Sequence, residues 1–209
     1  MKAHTKETQA TMTPAKSLQF LKEGNLRFQN NLKANRNLLE QVNDTSEGQF
    51  PFATILSCID SRVSAELIFD QGLGDIFSVR IAGNFVNQDI LGSMEFACKL
   101  AGTKLVVVLG HTACGAVKGA CDDAKLGNLT GMLSKIKPAV KAVSEPSIGL
   151  AFCINELKFM RYLSLTLSKL FGSCRCFISF SGLISCVVAS FSSSSAHFWH
   201  GILTSILEP

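Results

Sequence analysis

The chain has 209 residues, of which 47% are hydrophobic and 17% charged, with 20 Lys and Arg against 16 Asp and Glu. That length holds one domain with a full core and excludes two comfortable ones. Basic residues outnumber acidic ones by sixteen to fourteen over 1–150 and by four to two over 151–209, a spread that excludes a nucleic-acid footprint of clustered Lys and Arg.

The opening stretch, MKAHTKETQATMTPAK, is polar and lacks the apolar core of a secretory signal, so a cytoplasmic setting with reduced thiols is expected. Eight cysteines without small-scaffold spacing then point to metal binding or plain burial, not to a disulfide framework. Pro14 suits the first turn of a helix, and Leu18, Leu21, Leu26, Phe28 and Leu32 follow near helical spacing. This predicts an amphipathic N-terminal helix or helix pair, which would pack on the core or reach for a partner.

Three short apolar runs follow, 52–58, 76–81 and 105–110, each suited to a parallel strand buried on both faces. Between them VSAELIFDQ and QDILGSMEFACKLAG carry apolar residues at helical intervals, and a further helix should follow HTACG. The alternation predicts an α/β fold, three layers in α/β/α order around a central, mostly parallel sheet with right-handed crossovers. Ligands of such sheets collect at the carboxyl ends of the strands. Cys58 ends the first run there, Arg80 to Asn84 end the second, and His111 follows the third.

The strand ends carry chemistry. HTAC sets His111 and Cys114 three residues apart at a strand-to-helix turn, with Gly110 and Gly115 permitting tight backbone paths. Joined by Cys58 of CIDSR, they supply two thiolates and one imidazole, a donor set suited to zinc with one tetrahedral position left open. Asp60, two residues beyond Cys58, could reach that fourth position or accept a hydrogen bond from a water there. Arg62 is its natural partner, since a guanidinium grips a carboxylate in a two-pronged fork and keeps it ionised.

These motifs together resemble the β-class carbonic anhydrases. The likeness runs from about Pro14 to about Val143, through LKEGNLRF, CIDSR, GDIFSVRIAGN, LVVVLGHTACGAVKGA and GNLTGMLSKIKPAV. The resemblance implies that Cys58, His111 and Cys114 bind one zinc ion per chain and that Asp60 and Arg62 form a catalytic dyad. Asp60 would take the fourth zinc position in a closed, inactive state. It also implies that Gln49 helps to orient substrate, while Gly83 and Phe77 form backbone and apolar walls of the pocket. The activity implied is reversible hydration of carbon dioxide to bicarbonate and a proton, by attack of zinc-bound hydroxide on carbon dioxide in an apolar niche. A homodimer or higher homo-oligomer is implied as well, with the N-terminal helices in its interface. Two other functions compete: hydrolysis of an analogue such as carbonyl sulfide or carbon disulfide, and a non-catalytic zinc-binding remnant.

The likeness divides the chain into a zinc domain with an N-terminal helical arm, 1–150, and an atypical apolar, Ser-rich tail, 151–209, that replaces the family's last helix and strand. From Cys176 to Leu207 the tail has no Asp, Glu, Lys or Arg. It reads in three ways: a sequence not selected for this fold, such as a shifted frame; a membrane segment; or a lineage-specific folded end. The membrane reading rests on CFISFSGLISCVVASF, which at 16 residues with four serines falls short of the roughly 20 apolar residues a span needs. Cys174 and Cys176 lack companion ligands, His197 and His200 are spaced i, i+3 but lie in the atypical tail, and Cys98 and Cys121 read as core or surface thiols.

Overall fold

A computed structural model describes residues 2–142 together with the strand segments 174–180 and 184–190. Three strands, β1 (Ala53–Ser57), β2 (Ile76–Arg80) and β3 (Leu105–His111), lie parallel in the order β2-β1-β3. The sheet continues past β3 into β5 (Ile184–Ser190) and β4 (Cys174–Phe180), both pairings antiparallel. The tail's apolar stretch therefore supplies strands here, and among the described residues no helix is long and apolar enough to cross a membrane. His197 and His200 lie outside the described residues.

Alternation along β1 and β3 builds the two outer layers. Ala53, Ile55, Leu105, Val107 and Leu109 face one core, shared with Leu21 of α2 (Pro14–Gln29) and Ala65 and Ile68 of α4 (Ala65–Ile68). Leu56, Val106 and Val108 face the other. That second core is closed by Met94 of α5 (Gln88–Glu95), Val117 of α6 (Gly115–Cys121), Leu133 of α7 (Gly127–Ser134) and Ala139 of α8 (Lys137–Ala142). The three-layer α/β fold is thus present. β1 and β3 are buried throughout, but β2 is the edge strand, and its residues Ser78 and Arg80 are exposed where burial on both faces was expected.

The N-terminal region holds three helices: α1 (Lys6–Ala10), α2 and α3 (Leu38–Asp44). Thr13 caps α2 by accepting from the Lys16 N–H, with Pro14 in the first turn, as its sequence suggests. Gln9 of α1 is buried and donates to the carbonyls of Pro51 and Ala101, at 2.7 and 2.8 Å, pinning the arm beneath the entry to β1. The segment expected as one helix after β2 changes pitch: α5 runs into a π-helical turn at Phe96–Leu100. Phe96 and Leu100 are left exposed by it, while Ala97 stays buried.

Candidate metal centre

The order β2-β1-β3 reverses direction at β1. The chain crosses from β1 to β2 through α4 on one face, then from β2 over β1 to β3 through α5 on the other. At such a switch point the two crossovers diverge and leave a crevice beyond the carboxyl ends of the central strands. Cys58 follows the last residue of β1, and His111 is the last residue of β3. Ala113 then takes a left-handed turn, φ 55°, which brings Cys114 to the N-cap of α6.

These three side chains converge. One donor atom from each of Cys58, His111 and Cys114 lies within 4.8 Å of the others, and all three residues are buried. The two sulfurs stand 4.0 Å apart, close to the roughly 3.8 Å that two thiolates span around a tetrahedral zinc. His111 engages the Thr112 carbonyl through Nδ1 at 2.9 Å, while its buried Nε2 has no hydrogen-bond partner. A buried ring nitrogen without a partner carries a desolvation cost of about 1–3 kcal/mol, and a metal ion relieves it. Two sulfurs and an imidazole nitrogen in this arrangement fit zinc.

The electrostatics favour one anionic sulfur of the two. A hydrogen bond from Cys114, helped by His111 and the Gly83 N–H, brings the Cys58 thiol down to about 4 against the opposing push of burial. That same bond, with burial, pushes the Cys114 thiol up. The adjacent Cys58 sulfur raises His111 in turn. Gly83 makes its contribution from the backbone, its N–H standing 3.4 Å from the Cys58 sulfur. At φ 77° a side chain would strain the backbone, and its Cβ would come within 2.6 Å of Ile136 Cδ1.

Asp60 and Arg62 form the expected fork. Nε and Nη2 of Arg62 reach Asp60 Oδ1 and Oδ2 at 2.9 and 2.8 Å, and the Arg62 backbone N–H adds a third bond at 3.0 Å. Those bonds hold the Asp60 carboxyl well below the usual carboxylate range. Asp60 Oδ2 also lies 3.8 Å from His111 Nδ1, so the carboxylate flanks the three-ligand cluster while staying committed to Arg62.

Gln49 and Phe77 are placed elsewhere. Gln49 is exposed on the loop entering β1, with the strand between it and Cys58; five extended residues span roughly 17 Å. Phe77 sits early in β2, opposite Thr54, and packs edge-on against Phe96. Sequence reasoning placed Arg80 at the carboxyl end of the second strand without giving it a role of its own, although it closes β2 in register with Ser57, one residue before Cys58. The only signal for it was a charged residue ending an apolar strand beside the site.

The chain is similar to known carbonic anhydrases. The family model described as carbonic anhydrase matches residues 53–158. Carbonic anhydrase 2 of Mycobacterium tuberculosis is 41% identical over 133 residues, covering 61% of this chain and 64% of its own length. The carbonic anhydrase of Mycolicibacterium smegmatis is 38% identical over 133 residues, covering 61% of this chain and 65% of its own. The chain thus spans somewhat less than two thirds of the length of these relatives. Among solved structures, the β-carbonic anhydrase CcaA matches 74% of this chain and 71% of its own, with a TM-score of 0.54 and 25% identity. A Coccomyxa β-carbonic anhydrase, solved with acetazolamide, matches 61% of each chain with a TM-score of 0.57 and 20% identity, a likeness of fold alone.

Proposed function

Since the chain belongs to the β-class carbonic anhydrase family, we propose that it reversibly hydrates carbon dioxide to bicarbonate and a proton. Cys58, His111 and Cys114 would hold one zinc ion per chain. The observation that carries this reading is the buried, partnerless Nε2 of His111 beside two sulfurs 4.0 Å apart. Zinc, when bound, supplies Lewis acidity that brings the pKa of a water from that of bulk solvent to near neutrality.

The chain's own residues do the rest. Arg62 keeps Asp60 anionic and aimed, so the carboxylate can accept a hydrogen bond from a water beside His111. Gly83 directs its N–H at the Cys58 sulfur, spreading the thiolate's charge. Buried Cys58 and Cys114 lack a disulfide, which suits a reducing, cytoplasmic setting.

The proposal extends to a homodimer. Leu26, Phe28, Leu38 and Leu39 are all exposed on α2 and α3, an apolar surface that a second copy would cover. Gln49 and Phe77, remote from Cys58 within one chain, would then meet substrate in the crevice of the neighbouring copy.

Zinc stoichiometry and stopped-flow carbon dioxide hydration test the reading on three proteins. The wild type is expected to bind zinc near one per chain and to turn over. Asp60→Asn should keep the metal and lose about 100-fold in turnover, and Cys58→Ser should lose the metal. Zinc without hydration in the wild type would favour the non-catalytic reading, and an Asp60→Asn protein at full rate would remove the dyad from the mechanism.

A further inference from the structure

We propose that Arg80 is a positioning residue for the metal centre, its guanidinium clamping the backbone that carries both Cys58 and Asp60. From the end of β2, Arg80 Nε donates to the Cys58 carbonyl at 2.9 Å and Nη2 to the Asp60 carbonyl at 2.7 Å. A planar fork of donors can take two carbonyls at once. Here the fork holds them across the point where the chain leaves β1 and turns toward α4.

Other tethers fix Ser57 beside Cys58 and add to the hold on the Asp60 carbonyl. The Ile81 N–H holds the Ser57 carbonyl at 3.0 Å, and the Val63 N–H, from within the same turn, reaches the Asp60 carbonyl at 3.0 Å. The Gly83 N–H meets the Cys58 sulfur and leaves its backbone alone. Arg80 therefore ties residues 58 and 60 together to the adjacent strand. A metal ligand and the carboxylate beside it share one support, so losing the fork lets both drift. A lysine keeps the charge but presents a single ammonium, which cannot hold two carbonyls in one plane.

This inference rests on the reading of Cys58, His111 and Cys114 as metal ligands, and its test keeps the two apart. Full-length wild type, Arg80→Lys, Arg80→Gln and Ser78→Ala are loaded with zinc or cobalt(II). Metal retention is measured by competition with a chelator, together with the visible spectrum of the cobalt(II) form and kcat and KM for carbon dioxide hydration. Removing a partner that orients a ligand costs about 10- to 100-fold in metal affinity or activity. Arg80→Gln is expected to hold metal about tenfold more weakly, with an altered cobalt spectrum and a lower kcat at unchanged KM. Arg80→Lys should fall between it and the wild type, and Ser78→Ala, on the same exposed edge, should match the wild type.

Wild-type retention and spectrum in Arg80→Gln would overturn the clamp. So would equal loss in Ser78→Ala, which would assign the effect to β2 as a whole. If Arg80→Gln does not fold, Arg80→Lys decides, and wild-type retention there overturns the proposal. A wild type that binds neither metal sinks the metal reading itself, a result distinct from a variant that binds as well as its parent.

Discussion

Asp70 shows how much a single buried charge can organise here. It takes a left-handed backbone, φ 42°, and is 7% exposed. Its carboxylate accepts from Arg27 Nε, from Arg36 Nη1 at 2.6 Å and from the Ala34 N–H at 3.1 Å. Arg36 Nη2 adds a bond to the Asp70 carbonyl at 2.5 Å, so the end of α2, the segment after it and the end of α4 meet at one residue. Burial pushes this carboxyl up, but the two guanidinium groups and the amide outweigh it and hold the group below its ordinary 3.8. A lowered folded value means that the stabilisation is complete above the ordinary value and is lost as pH falls through the folded one. Asp70→Asn leaves buried Arg36 without its counter-charge and should cost about 3 kcal/mol at neutral pH. Urea unfolding should show the gap between the two proteins closing as pH drops below 3.8; a gap constant with pH would mean that the charge is not what Asp70 contributes. None of this was legible in the sequence, because the partners lie 34 to 43 residues away and each is an ordinary surface type. Cys58, His111 and Cys114 were legible for the opposite reason, since few roles other than metal binding bring two thiols and an imidazole to adjacent strand ends.

At the scale of elements, α2 separates what periodicity predicts from what packing selects. Leu21 is fully buried as its spacing suggests, but Leu26, Phe28 and Leu32 of the same stripe are 60%, 43% and 60% exposed. The buried face carries Ser17, Gly24 and Asn25 beside Leu21 instead. Gly24 lies so close to the end of α4 that a Cβ there would come within 1.7 Å of the Phe69 carbonyl oxygen. Asn25 then reaches the Ile68 carbonyl at 3.1 Å, satisfying an acceptor at the helix's open end. A hydrophobic count cannot find a contact made by the absence of a side chain. Backbone cannot yield as a flexible side chain would, so Gly24→Ala should cost about 3 kcal/mol, the upper range for overpacking. Helix propensity alone would make the same change stabilising by about 1 kcal/mol. Thermal unfolding therefore decides by sign: a raised midpoint would mean that α2 does not approach α4 this closely. The π-helical turn after α5 escaped sequence reasoning similarly, because its apolar residues fit an uninterrupted helix equally well.

For the molecule as a whole, the sheet joins a legible half to one that was not. β2-β1-β3 declares itself through apolar runs, intervening helical patterns and chemistry at the strand ends. β4 and β5 come from a stretch with a single charge, Arg175, and no clear alternation, and nothing local in it announces which strand it would join. The structure lays β5 along the whole of β3, from Leu105 opposite Ser190 to His111 opposite Ile184. That pairing takes up the outer hydrogen-bonding edge of the strand that ends in a proposed metal ligand. Without it, β3 becomes a second sheet edge, fully apolar from Leu105 to Leu109 and buried on both faces. Such an edge invites pairing with another chain. Ending the chain after residue 172 should therefore make it aggregate at micromolar concentration and retain less zinc than the full chain. Light scattering and zinc analysis on the full and shortened chains check this. A shortened chain that remains dispersed and holds zinc as well as the full one would mean that β3 does not need β5, leaving Cys58, His111 and Cys114 supported by residues 1–172 alone.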